Sequence, residues 1–178
     1  MKICVIQVPN LGCMFVRFVG KLNLPDMQSM IQSVMRLDGY QNSVILQDMR
    51  NVDFDVPMEV AHQVARARPE NPLHSRLALV SEGDLGFGMI RVIASIREID
   101  QYATRACRTI PEALEWLGIP GVNQQLPAEV EEVFAEDFPP ESSEREPYGI
   151  TIRKVTVGTG FGEYDGHEEP RLQGFQEE

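Results

Sequence analysis

The sequence predicts an α/β fold: a mainly parallel sheet opened by an antiparallel hairpin and covered by helices, with an acidic C-terminal extension. Three observations predict it. Short apolar runs rich in β-branched residues alternate with segments whose apolar residues recur at helical spacing, in the order ββαβαβαβα over residues 1–118. The first two runs are separated only by the turn Pro9-Asn10-Leu11-Gly12, so they pair as a hairpin. The run around Val44 is apolar almost without interruption, the composition of a strand buried on both faces of a parallel sheet.

The elements follow in order. Ile3 to Gln7 and Met14 to Val19 are the hairpin strands, and Gly20 ends the second. Asn23 is placed to cap a helix, with Pro25 in the first turn and Asp26 three positions on. Met27, Met30, Ile31, Val34 and Met35 then trace one helical face, and Asp38-Gly39 closes it. The methionines of that face suit either core packing or an adaptable binding surface. Ser43 to Leu46 is an interior strand running into Gln47 and Asp48. A second helix follows Asp55, with Pro57 in its first turn, Val60, Ala61, Val64 and Ala65 as its apolar stripe and Pro69 as its stop. Leu77 to Val80 is a strand, Asp84 to Ile99 a helix with Met89, Ile90, Ile93 and Ile96 inward, and Arg105 to Arg108 a short strand. Thr109-Ile110-Pro111-Glu112 forms a capping box that opens a helix with Ala113, Leu114 and Leu117 on its apolar face and Trp116 beside them. Gly118 suits the left-handed residue that ends it.

Charge divides the chain. Residues 1–118 hold 13 Asp and Glu against 12 Lys and Arg, whereas residues 119–178 hold 14 against 4, so nearly all of the net charge of −11 lies in the last third. The expected organisation is a near-neutral α/β domain over 1–120 and an acidic, proline-containing extension over 121–178 that is either partly disordered or docked. Within it, Leu126, Val130, Val133 and Phe134 share one face of a short acidic helix after Pro127, and Ile150 and Ile152 suit a strand that adds to a sheet edge. An acidic tail and the absence of a basic run disfavour nucleic acid. No apolar run approaches the roughly 20 residues of a membrane span, and Pro9 interrupts the N-terminus before a signal-peptide core could form. These features, with only three cysteines, predict a cytoplasmic protein.

Four segments carry a family resemblance: the hairpin with GKLNLPDMQSMIQSVM, then SVILQDMRNVDFDVPMEVAHQVA, then RLALVSEGDLGFGMIRV, and the closing TIPEALEWLGI. Together they resemble the STAS-like family, related to anti-sigma factor antagonists and grouped with the SEC14-like fold, over about residues 1–118. The resemblance implies a small binding module without an assigned activity. Antagonists of that family are switched by a phosphorylated Ser or Thr at the start of the helix after the third strand. Here residues 44–74 contain neither, and the matching loop reads Asn51-Val52-Asp53-Phe54-Asp55. Asp53 and Asp55 either imitate a fixed charge there, or Asp55 caps the helix that follows.

The remaining candidates lie at strand ends. Asp48, Arg50 and Asn51 stand at the carboxyl end of an interior strand, the usual edge for function in open α/β sheets; the plainer reading is local hydrogen bonding. Gly83, Gly86 and Gly88 punctuate GDLGFG between a strand and a helix, where backbone N–H groups cradle anions, and Arg91 follows one turn later. The plainer reading is a glycine that lets helix and sheet approach closely. His62, His74 and His167 share no metal-ligand spacing. Cys4 and Cys107 lie in apolar strands as buried thiols, and Cys13, nearer a turn, is the more reactive candidate. No catalytic set, cofactor or metal site is expected. The expected function is non-catalytic regulation or protein binding through the loop face and the tail, with homodimerisation open. The alternative is a carrier or sensor of a lipid-like or phosphorylated anionic ligand.

Overall fold

The computed structural model describes residues 1–34, 36–37, 43–66, 76–99, 103–119, 122, 124–137 and 149–156. Strand β1 (Lys2–Val8) and strand β2 (Cys13–Lys21) form the antiparallel hairpin, paired from Lys2↔Val19 to Val8↔Cys13. A 3-10 turn over Pro9–Leu11 joins them, and Gly12 closes it at φ 60, a left-handed conformation that glycine adopts without strain.

Helix α1 (Leu24–Val34) then leads to strand β3 (Val44–Asp53), helix α2 (Met58–Arg66), strand β4 (Leu77–Val80), helix α3 (Asp84–Ile99), strand β5 (Thr104–Cys107) and helix α4 (Ile110–Leu117). Helix α5 (Ala128–Asp137) and strand β6 (Gly149–Lys154) follow. The sheet has six strands in the order β5-β4-β3-β2-β1-β6; every neighbouring pair is parallel except β1 with β2.

Helices cover both faces. On one, Ile3, Val5, Val16, Phe18, Ile45 and Leu79 of the sheet pack against Met27 and Met30 of α1, Ala61, Val64 and Ala65 of α2, and Met89, Ile90 and Ile93 of α3. On the other, Ile6, Phe15, Leu46, Ala78 and Val80 meet Ala113, Leu114 and Leu117 of α4 and Val130 and Phe134 of α5. The two sets come from alternate strand residues, as the period of two in a strand requires. Met27 and Met30 are therefore core residues; Met35 lies outside the described residues.

The caps form as the residue types dictate. Asn23 Oδ1 accepts the Asp26 N–H at 2.9 Å, and Thr109 Oγ1 accepts the Glu112 N–H at 3.3 Å. Gly118 ends α4 at φ 61, its N–H on the Leu114 carbonyl.

Two expectations about local structure are corrected. Strand β3 does not stop near Asp48 but continues to Asp53, because β2 is long enough to pair with it there: Val19↔Asn51, Gly20↔Val52 and Lys21↔Asp53. Asp48, Arg50 and Asn51 are thus strand residues, beside a bulge where Arg17 pairs with Asp48 but Val19 with Asn51. Asp55 does not cap α2, which begins three residues later. Instead Asp53 Oδ1 accepts the Asp55 N–H at 2.8 Å, a short Asx turn that redirects the chain after the strand.

Beyond residue 119 the apolar stripe read in the sequence is buried. Val130 and Phe134 are inaccessible, Leu126 nearly so, and Val133 packs against them. Strand β6 pairs parallel with β1, and Val155 N–H reaches the Gln7 carbonyl at 2.9 Å. No helix among the described residues is long and apolar enough to cross a membrane.

Candidate functional site

The carboxyl ends of β2, β3, β4 and β5 share one edge of the sheet because these strands run parallel. Asp48 sits near that edge on the face covered by α4 and α5, and only 2% of its surface is exposed. A buried carboxylate needs partners, and two arginines supply them. Arg50 donates Nε to Oδ1 and Nη2 to Oδ2, both at 2.9 Å, and its backbone N–H reaches Oδ1 at 3.3 Å. Arg17, opposite on β2, donates Nε to Oδ2 at 3.0 Å.

The network continues at both ends. Arg17 Nη2 reaches Glu131 of α5 at 3.3 Å, and its guanidinium lies 4.1 Å over the ring of Phe134. Arg50 Nη1 reaches Glu82, in the turn after β4, at 3.4 Å. Burial by itself would push the Asp48 carboxyl up. The Arg50 hydrogen bonds and the charges of Arg50 and Arg17 outweigh burial and hold it below the ordinary carboxylate value. Reciprocally, its hydrogen bonds with Asp48 raise Arg50 above the ordinary guanidinium value.

A second set locks the adjoining turns. Arg108, between β5 and α4, donates Nη2 to Asp84 at 3.0 Å and Nη1 to the Glu82 carbonyl at 3.2 Å, and stacks 4.1 Å over Phe87. Glu112 accepts the Arg108 N–H at 2.9 Å.

The glycines of GDLGFG divide by role. A side chain on Gly86 would collide with Ser81 Oγ and stand 2.9 Å from the Phe54 ring, so this glycine lets α3 approach the sheet. A side chain on Gly83 or Gly88 would meet nothing within 4 Å. Gly88 and Arg91 face away from the Asp48 network. They line a groove of about 520 Å³ between α2 and α3, together with His62 and Arg66 of α2 and Val92 and Ile96 of α3. The candidate residues therefore occupy two places: Asp48 and Arg50 under α5, Gly88 and Arg91 on the outer face of α2 and α3. Asn51 and Asp53, among the last residues of β3, and Asp55 beyond it are exposed and join neither.

Arg17 is not among the candidates that the sequence singles out. Its signal was a lone cation inside the apolar run MFVRFV, which demands a buried counter-charge. Glu82 and Glu131 carried no local signal.

The thiols are inert by environment. Cys4, Cys13 and Cys107 are buried and form no disulfide. Burial pushes the Cys13 thiol up to about 12, so it is not the reactive cysteine its place near the turn suggested. Burial, then the Glu112 charge, pushes Cys107 up to about 11. Among the described residues no three His, Cys, Asp or Glu gather closely enough to hold a metal ion; His74 and His167 lie outside those residues.

At the heads of α2 and α3, Met58 and Leu85 project into solvent, 46% and 63% exposed. Comparisons with protein-family models, curated proteins and solved structures found no match, so the function is read from this geometry.

Proposed function

We propose that this chain is a non-catalytic protein-binding module, of the STAS-like type its sequence resembles. The observation that carries the reading is the pair Met58 and Leu85. Each is a large apolar side chain at the first turn of a helix, and both helices begin at the carboxyl edge of the sheet. Exposed apolar residues grouped on a rim favour a protein partner. The chemistry beside them supports the same reading. Asp48, Arg17 and Arg50 satisfy one another, Asp84 is held by Arg108, and the Cys13 and Cys107 thiols stay protonated at neutral pH. Groups bound this firmly to one another rigidify a surface rather than move protons. No Ser or Thr stands at the start of α2, so a module of this kind works without the phosphorylation switch at that position.

Affinity capture with the full chain and with a Met58→Glu, Leu85→Glu double variant of matched circular dichroism tests the reading. A protein retained in stoichiometric amount by the wild type and lost by the variant is the expected result. The same proteins on both baits, or turnover of a small substrate by the purified chain, would overturn it.

A further inference from the structure

We infer that the groove between α2 and α3 receives an acidic, amphipathic helix of a partner protein. The inference rests on the protein-binding reading and names the partner's chemistry. Spacing builds the groove. Met58, His62 and Arg66 stand at i, i+4 and i+8 on α2, so they form one stripe; Leu85, Gly88, Val92 and Ile96 at i, i+3, i+7 and i+11 form the facing stripe on α3. The exposed pair Met58 and Leu85 stands one helical turn before His62 and Gly88, the first residues of α2 and α3 that line the groove.

Charge selects the occupant. Five other arginines are engaged: Arg17 and Arg50 with Asp48, Arg105 with Glu112, Arg108 with Asp84, and Arg76 with the Trp116 carbonyl. Among the described residues, Arg66 and Arg91, like the exposed Arg36, have no such partner, and these two line one groove although the chain carries a net charge of −11. Glu98 flanks the neighbouring groove beside β5 and forms no ion pair with Arg91. Two unengaged guanidiniums with His62 around an aliphatic floor of Val92 and Ile96 match carboxylates flanking an apolar side chain.

Shape selects a helix. The walls are helix side chains and offer no free backbone edge on which an extended peptide could add as a strand, so recognition runs through side chains at helical spacing. Gly88 leaves the channel open where a side chain would narrow it.

The test is a displayed library of helical peptides selected on the full chain and counter-selected on an Arg66→Glu, Arg91→Glu double variant. Enriched sequences are expected to carry Asp or Glu at i, i+3 or i+4 around Leu, Ile or Met. Their binding is expected to weaken about tenfold or more on the double variant, as removal and reversal of two ion pairs entails, and to weaken with added salt. No enrichment, or enriched peptides that bind both forms equally, overturns the inference. The Met58→Glu, Leu85→Glu variant separates the two readings. A captured protein lost by that variant but kept by the arginine reversal overturns the acidic helix and leaves the binding module standing; a protein kept by both overturns the module.

Discussion

Arg50 holds Asp48 in a two-pronged grip, Nε on Oδ1 and Nη2 on Oδ2, each at 2.9 Å, from a position two residues along the same strand. Residues two apart on a strand project from one face, so the pair is built into β3. Arg17 completes it from β2 and ties it to α5 through Glu131 and Phe134. The carboxylate therefore joins two strands, a turn and a helix from the acidic end of the chain.

Asp48→Asn is expected to destabilise the fold by about 3 kcal/mol, because it removes the buried charge that half-buried Arg17 and more exposed Arg50 both grip. Acid should reveal the same group. Its folded value lies below the unfolded one, so its stabilisation is complete above about pH 4 and is lost as pH falls further, through the folded value. Urea midpoints measured between about pH 3 and 6 should fall with acid in the wild type and fall less steeply in the variant. Parallel curves would mean that Asp48 is not the linked group.

The two glycines of α3 should respond to alanine with opposite sign. Gly86→Ala forces a methyl against Ser81 and Phe54 and is expected to cost about 1–3 kcal/mol. Gly88→Ala meets open space inside the helix and should be neutral or stabilising by about 0.5–1 kcal/mol. Thermal melts of the two single variants decide it; equal shifts would contradict the close approach at Gly86.

The thiols should be silent in the folded protein. With Cys13 and Cys107 pushed up to about 12 and 11 and Cys4 fully buried, a thiol-specific chromogenic reagent at neutral pH should react only as denaturant unfolds the chain. One fast equivalent without denaturant would show that a cysteine opens to solvent locally.

Phe134→Ala tests whether the acidic helix α5 supports the core. The side chain is 1% exposed and carries the Arg17 guanidinium on its ring, so the expected loss is about 3–5 kcal/mol. A loss under about 1 kcal/mol would mean that the sheet folds without help from α5.

The fold was legible where a pattern is local. Hydrophobic spacing placed α3 and β4 at their observed ends, and Asn23, Thr109 and Gly118 marked helix ends with residues whose side chains or backbone do that work. The stripe Leu126, Val130, Val133, Phe134 also told more than charge did. A helix with four glutamates packs on the sheet because Glu131, Glu132 and Glu136 lie on its exposed side. The length of β3 was not legible. The strand read as ending near Asp48 and Asn51 to Asp55 read as a loop, and only pairing with a long β2 carries the strand on to Asp53.

The amino-acid sequence by itself determined the α/β class, the hairpin, the caps of α1 and α4 and the inward faces of the helices, because these depend on residues a few positions apart. Only the tertiary structure decided the rest. It joined Arg17 to Asp48 across 31 positions and to Glu131 across 114, and it set His62 and Arg66 opposite Gly88 and Arg91. Charges and grooves of this kind come from strand order and from which helices share a face, and both are settled by packing the whole core rather than by any local segment.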